Sequence, residues 1–481
     1  MSKSEKLTIG AILTAVIISA TLYGVWEDKV WLFAPLLTLI YIALAVWICG
    51  RWKVGSETWR VESKITSNIP HPTTHSIPPG GGMLLLFGLY SACMIPFSVI
   101  PYEAKISTLR VGAYIGVYWA TANILSRFPR RKTALMTVFG FLILIALYSL
   151  VQHKVAPERL LWTLRYTNGW EKGRLGGTYI CPNHIAHLFQ MWIPICLLFL
   201  FIPRFGWFWR ICFGYSIPLF TLLIYQTQSR AGLLGLVASL ATTALLLMLR
   251  KSQKLFYISI LVVPLLGTGA IGGLWFGSSM FRDRMEPVVK VATKFFAGDI
   301  EEAISVDFRP QTWADGMVMF ADRPITGFGP GNYEQVFPEY RQRVFANRML
   351  TVHPHNEIVE MLGEYGLIGA LLILGVLISF CVPMVRLIKT SDRATHALPA
   401  VAILAAFAGT AVHGFFDFEL RIFPNALMLA LLAGTAAAPI LKGKTERKKE
   451  SSTTATARGI ESDFGVERFE NKRIGQMPEA L

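Results

Sequence analysis

The sequence predicts an all-α polytopic membrane protein, and three observations carry that expectation. Of its 481 residues, 53% are hydrophobic and only 16% charged, where a soluble domain averages about 25% charged. The mean hydropathy is +0.46. Apolar runs of the ~20 residues needed to cross a bilayer recur along the chain.

Twelve such runs are read, at roughly 7–25, 30–49, 82–101, 109–126, 133–152, 184–202, 211–228, 231–249, 255–276, 366–385, 397–414 and 424–441. The first two follow one another at once, with no small-residue cleavage site before a soluble domain. The N-terminus is therefore read as a span and not as a cleaved leader. Pro96, Pro194, Pro218 and Pro264 fall within spans, where neighbouring helices satisfy the backbone groups they free.

Basic residues set the orientation. The short loops "RWK" (51–53), "RFPRRK" (127–132), "RKSQK" (250–254) and "RLIKTSDR" (386–393) are rich in Lys and Arg, whereas "EDK" (27–29) and "DFELRIF" (417–423) are poor in them. The first set should be cytoplasmic, with both termini. Two long loops, 153–183 and 277–365, then face the other side. Three parts are expected: N-terminal transmembrane helices over 1–173, a membrane core over 174–441 that includes loop 277–365, and a disordered cytoplasmic tail over 442–481. The tail mixes Lys, Arg, Glu and Ser with few apolar residues, so it has too little to bury; its charge suits anionic lipid.

The formal net charge of +15 is explained by the basic cytoplasmic loops of a membrane protein, and no nucleic-acid partner is expected. The six cysteines fall mostly inside apolar spans with no CxxC spacing, so neither a disulfide framework nor a cysteine metal site is expected. In the long external loop, 285–304, 309–321 and 332–345 show apolar residues at helical spacing. Pro338 is a break in the last. Amphipathic helices lying over the bundle are expected there, with the turn-rich "DRPITGFGPGNY" between the last two.

The densest chemistry is "HPHNEIVEMLGEYGLIG", His353 to Gly369, at the mouth of an uncharged span. Asn356 or His355 can cap a helix that begins near Glu357. Glu357, Glu360 and Glu364 share one face of it, and acidic residues suit its first turn, a purely structural account. His355, where loop meets span, titrates near neutral pH and can act as a base. Beyond a loose "HIAH" at 184–187, no partner set completes a metal site around His353 and His355, so no metal is expected. Arg174, Arg230 and Arg309 sit at external membrane edges. One arginine there often only snorkels to lipid phosphates; three near a histidine suit bidentate binding of phosphate. "GFGPGN" (327–332) is either a backbone anion nest or a plain turn.

Together these pieces resemble the O-antigen ligase and O-antigen polymerase family, from about Arg174 to Gly434. "GRLGGTYICPNHIAHL", "SRAGLLGL", "RPQTWADGMVMFADRPITGFGPGNY" and "HPHNEIVEMLGEYGLIG" match its elements in order. The last fits the ligase pattern of His, a polar residue, nine residues, Gly, two residues, Gly at His355, Asn356, Gly366 and Gly369. "HGFFDFELRIFPNALMLALLAG" resembles the closing element, with Asp417 and Asn425. Ala231 stands where the family commonly has Gly.

The resemblance implies a cofactor-free, metal-independent, inverting glycan transfer from undecaprenyl pyrophosphate to an acceptor hydroxyl, on lipid A-core or a growing polysaccharide. It would occur on the periplasmic face of the bacterial inner membrane, with segment 174–441 as the catalytic core. His355 would be the base, Arg230, Arg309 and Arg174 would hold pyrophosphate, and Asn356 and Glu360 would orient His355 or touch sugar. Asp417 would position an arginine, or only close the external surface. Two other readings stand beside it. One is a flippase or transporter, although the polar groups gather at one membrane face. The other is a cell-wall glycan polymerase of the SEDS type, whose acid would be Asp299, Glu301, Asp307 or Asp315.

Overall fold

The computed structural model describes residues 1–22, 34–49, 76–160, 163–164, 173–250, 254, 257, 277, 279–343 and 353–441. The expected span 255–276 and the expected tail 442–481 lie outside these but for Tyr257. The protein is an all-α polytopic membrane protein. Its helices are α1 (Lys3–Thr21), α2 (Ala34–Cys49), α3 (Gly81–Met94), α4 (Pro101–Ile124), α5 (Phe128–Val155), α6 (Pro182–Phe199), α7 (Trp207–Thr227) and α8 (Arg230–Leu249). After them come α9 (Ser279–Ala297), α10 (Ile300–Ser305), α11 (Phe308–Asp322), the single turn α12 (Tyr333–Val336), α13 (Glu357–Thr390), α14 (Ala394–Phe416) and α15 (Phe423–Leu441). A two-residue antiparallel pairing, Arg159–Leu160 with Thr163–Leu164, is the only sheet among the described residues.

Seven described helices (α1, α5, α7, α8, α13, α14 and α15) are long and apolar enough to cross a membrane. Two further expected spans fall in α2 and α3, which are apolar but shorter. Two more fall in α4 and α6. Those helices are not among the seven, and their composition says why: α4 carries Glu103, Lys105 and Arg110, and α6 opens on Asn183, His184, His187 and Gln190. Apart from Leu197, every residue of α6 is buried. It is a central helix whose polar groups face protein.

Side-chain exposure separates the centre from the lipid-facing rim. α13 leaves Leu371, Leu374, Ile378 and Val382 at least half exposed along one stripe, which only a lipid environment makes favourable. α14 packs on α6, α8 and α13. At its crossing with α8, Gly235 and Gly409 meet backbone to backbone, so that a Cβ on Gly235 would lie 2.8 Å from the Gly409 carbonyl oxygen. Small residues at such a crossing let membrane helices approach closely. Phe139, Phe199, Phe205 and Phe213 close the gap between α5, α6 and α7, with Phe139 and Phe213 centroids 4.7 Å apart.

α13 is broken at Gly366, whose φ of 61° and ψ of −163° lie outside any helix. The break is stitched by the glycine-rich turn. Leu367 N–H donates to the Pro324 carbonyl (2.8 Å) and Ile368 N–H to that of Ile325 (3.2 Å). In return Phe328 and Gly329 donate to the carbonyls of Gly363 and Glu364, each at 2.9 Å. The "GFGPGN" segment is therefore a turn: Phe328 and Gly329 give their amides to α13, Gly327 to the Arg323 carbonyl and Asn332 to that of Gly329.

Candidate functional site

Four helices begin at one place. Asn183 lies in the first turn of α6, behind Pro182 at its first position. Arg230 is the first residue of α8, where Ser229 caps the helix by accepting from Gly232 N–H (3.1 Å). Asp307 caps α11 by accepting from Arg309 N–H (3.2 Å). Asn356 caps α13, accepting from the N–H groups of Ile358 (2.9 Å) and Val359 (3.1 Å). Caps of this kind are what Ser, Asp and Asn do best, and the converging N-termini add positive potential.

Asp417, in the link after α14, is the hub. His355 Nδ1 lies 2.8 Å from its Oδ1. Asn183 donates to its Oδ2 (2.6 Å), and Arg309 approaches the same oxygen at 3.6 Å. The Asn183 side-chain Oδ1 in turn accepts from Arg174 Nη2 (2.6 Å), while Arg174 Nε donates to the Thr227 backbone carbonyl (2.8 Å). Arg230 reaches Asp307 at 3.4 Å. Five of the seven residues singled out in the sequence thus meet through a few contacts: His355, Asp417, Arg174, Arg309 and, through Asp307, Arg230; Asn356 adjoins them as the residue after His355.

Glu360 sits in an adjoining cluster. Arg421 gathers the three glutamates of α13, at 3.8 Å from Glu357, 3.3 Å from Glu360 and 2.6 Å from Glu364. His353 Nδ1 is 2.8 Å from Glu360 Oε1. Phe418 joins the clusters, its ring 4.2 Å from that of His353 and 4.9 Å from that of His355. Trp313 supports the loop by donating to the Pro354 carbonyl (2.9 Å), and His355 takes a left-handed φ of 51° to turn its ring inward. A non-glycine residue held there is often functional.

Exposure sorts the seven. The side chains of His355, Arg230 and Arg309 are 22%, 23% and 17% exposed. Arg174, Asn356, Glu360 and Asp417 are buried. Burial lowers the His355 imidazole below its ordinary 6.5, with Asp417 opposing the shift. Burial alone would raise the Asp417 carboxyl, but the charges of His355 and Arg309 hold it well below the usual range. An ionised Asp417 only accepts hydrogen bonds, so His355 carries its proton on Nδ1 and leaves Nε2 as the basic lone pair.

Behind the hub lies a fully buried polar layer. His413 Nε2 is 3.0 Å from Glu419 Oε1, Asn425 donates to Glu419 Oε2 (2.9 Å), and His187 Nε2 pairs with Thr410 Oγ1 (2.9 Å). Burial, with Asp417 adding to it, pushes the Glu419 carboxyl well above its usual range. His184, Asp417 and Glu419 place one donor atom each within 4.8 Å of one another. Both oxygens of Asp417 are engaged by His355, Asn183 and Arg309, so a cation there would have to displace one of them.

Residues 215–374 match the family model of the O-antigen ligases. Over this segment, about a third of the chain, the protein is similar to the O-antigen ligases. The matched segment contains Arg230, Arg309, His355 and the Gly366–Gly369 pair; Arg174, Asn183 and Asp417 lie outside it and are joined to it by the contacts above. Comparison with curated proteins finds no match.

The sequence reading gives no role to Asn183, Arg421 or Phe418. Two of the four acids that a SEDS-type reading would draw on are otherwise employed. Asp307 is a cap. Asp315 is buried against the backbone amides of Gln342 (3.1 Å) and Arg343 (2.9 Å) and the Arg343 guanidinium (3.0 Å).

Proposed function

We propose that the protein transfers a glycan from undecaprenyl pyrophosphate to an acceptor hydroxyl, with inversion and without a metal, on the periplasmic face of the bacterial inner membrane. The match of residues 215–374 to the O-antigen ligase model supports a glycan transferase in a multi-pass membrane protein. The observation that carries the finer reading is the His355–Asp417 pair with Arg309 against the same carboxylate and Arg230 one contact away.

In this reading His355 Nε2 takes the proton of the acceptor hydroxyl as its oxygen attacks the anomeric carbon. The bond from that carbon to the pyrophosphate oxygen breaks, and the electron pair leaves with the polyprenyl pyrophosphate. Asp417 fixes the tautomer and stabilises the imidazolium that forms. Arg230 and Arg309, part-exposed at helix N-termini, meet the negative charge that grows on the leaving group. Arg174 acts through Asn183 to hold Asp417 in place. Asn356 holds the start of α13, and Glu360 holds His353 and Arg421.

Purified protein in lipid vesicles, given carrier-linked glycan and acceptor in the presence of a chelator, should release polyprenyl pyrophosphate and yield an inverted linkage. Movement of carrier-linked glycan across the vesicle without bond formation would replace this reading with a transporter. In cells lacking the gene, single repeats on the acceptor would mark a missing polymerase. Accumulation of carrier-linked polymer would mark a missing ligase.

A further inference from the structure

α9 is amphipathic, and part of its apolar face is exposed. Glu286, Lys290, Thr293 and Lys294 lie on one side, where Lys290 pairs with Glu286 at 2.7 Å and Lys294 with Asp299 at 3.9 Å. On the other side Val289, Phe295 and Phe296 are 48%, 59% and 87% exposed, and Ile300 at the start of α10 continues the face at 56%. The described contacts of α9 are principally with α10. The sequence led us to expect helices laid over the bundle; this one leaves Val289, Phe295 and Phe296 of its apolar side exposed.

Its height is fixed by its neighbours. Only Gly298 and Asp299 separate α9 from α10, and only Val306 and Asp307 separate α10 from α11. Asp307 holds Arg230 at the first residue of the span α8, and Arg309 holds Asp417 at the end of the span α14. The chain that leaves α10 is thus tied to the ends of two membrane spans. A 19-residue helix, about 28 Å long, starts from that level with an apolar face and a basic one. In water two adjacent exposed phenylalanines are strongly disfavoured; at a lipid surface they are the usual anchor.

We propose that α9 and the start of α10 lie in the lipid–water interface of the leaflet on the side of the site, with Val289, Phe295, Phe296 and Ile300 among the acyl chains and Lys290 and Lys294 toward headgroups and water. α9 then fixes the depth of α11, and with it of Arg309, at the level where lipid phosphates sit. The inference stands on the fold and not on the reaction assigned to the site.

The test uses the full chain with its native cysteines replaced and single cysteines introduced at Val289 and Phe296 on one face and at Glu286 and Thr293 on the other. Each carries a nitroxide label, in vesicles of zwitterionic and anionic phospholipid, with elution volume checked for native size. Labels at 289 and 296 should be relaxed by oxygen and shielded from a water-soluble nickel chelate, at a depth of about 5–10 Å, with the order reversed at 286 and 293. Adding Phe295→Asp to the Val289→Cys protein should restore nickel access at 289. Equal nickel access on both faces would overturn the proposal, leaving α9 in water. Protection of 289 and 296 from both agents would also overturn it, placing the face against protein, and spin–spin broadening would name a second copy.

Discussion

His355 Nδ1 and Asp417 Oδ1 lie 2.8 Å apart across 62 residues of sequence. The pair joins the start of α13 to the end of α14, and it sets which imidazole nitrogen is free. Two further groups, Asn183 and Arg309, hold the other carboxylate oxygen, so the acid has little freedom to rotate away.

This relationship has a signature in pH. Burial holds the His355 pKa below 6.5, and Asp417 works against that shift. The base is competent when neutral, so turnover is full above the shifted pKa and is lost as pH falls through it. The acid limb of kcat/KM should therefore lie below pH 6.5. Asp417→Asn removes the charge that favours the imidazolium. The limb should move to still lower pH, and the plateau should fall roughly 10²–10⁴-fold. A pH–rate profile of both proteins checks this; an unmoved limb would detach Asp417 from the base.

The two histidines of "HPH" should separate cleanly. His355→Ala is expected to lose about 10²–10⁴-fold in rate, together with the stability of its bond to buried Asp417 and its ring contact with Phe418. His353→Ala should lose stability but little rate. It removes a ring stacked on Phe418 and the partner of Glu360 Oε1, at a cost of about 1–3 kcal/mol, while Arg421 still neutralises Glu360. Turnover and melting in detergent, measured on the same preparations, distinguish the two. Comparable rate losses in both variants would mean that the catalytic role is not specific to His355.

Most of the membrane architecture was legible because hydropathy is a local property, as was the cap at Asn356 and the common face of Glu357, Glu360 and Glu364. α4 and α6 show the limit of hydropathy. Buried inside the bundle, α6 carries histidines and amides that other protein groups satisfy, and nothing in a window of sequence distinguishes that from a weak span. The bridge from Arg174 through Asn183 to Asp417 was hidden for another reason. Asn183 and Asp417 are 234 residues apart, and no spacing rule pairs an amide in one helix with an acid after another. Arg421 lay in plain view in "DFELRIF", but its three partners are known only once α13 and the link after α14 are placed together.

Arg230 tests whether shape or charge matters. It touches Asp307 at 3.4 Å with its side chain 23% exposed, which leaves the guanidinium plane able to meet a ligand. Arg230→Lys keeps the charge and loses the fork that grips two phosphate oxygens. It should retain no more than about a tenth of wild-type activity, and Arg230→Ala no more than that; a lost charge-assisted contact of about 1.5–3 kcal/mol gives this size. The measurement is transfer rate against donor concentration. Normal kinetics for Arg230→Lys would reduce the residue to a lipid anchor.

Gly366 should be the least replaceable residue of α13. Its φ of 61° with ψ of −163° is a region that only glycine occupies without strain, at about 1–3 kcal/mol for other residues. A Cβ there would also run into the Ile325 carbonyl and the Thr326 amide of the stitched turn, and backbone cannot step aside as a side chain can. Relieving the clash means breaking the bonds from Leu367 to Pro324 and from Ile368 to Ile325. The helix on one side of the break carries Glu360 and Glu364 to Arg421, and the helix on the other crosses the membrane. Gly366→Ala should accordingly lower the melting temperature by many degrees, or prevent recovery of folded protein, and take activity with it. Gly140, in the middle of α5, has nothing within 4 Å of a built Cβ. Gly140→Ala should be neutral or stabilising by up to about 1 kcal/mol. Melting curves of the two variants in one detergent make the comparison. A Gly366→Ala protein that melts with the wild type would show that the chain does not break at this residue.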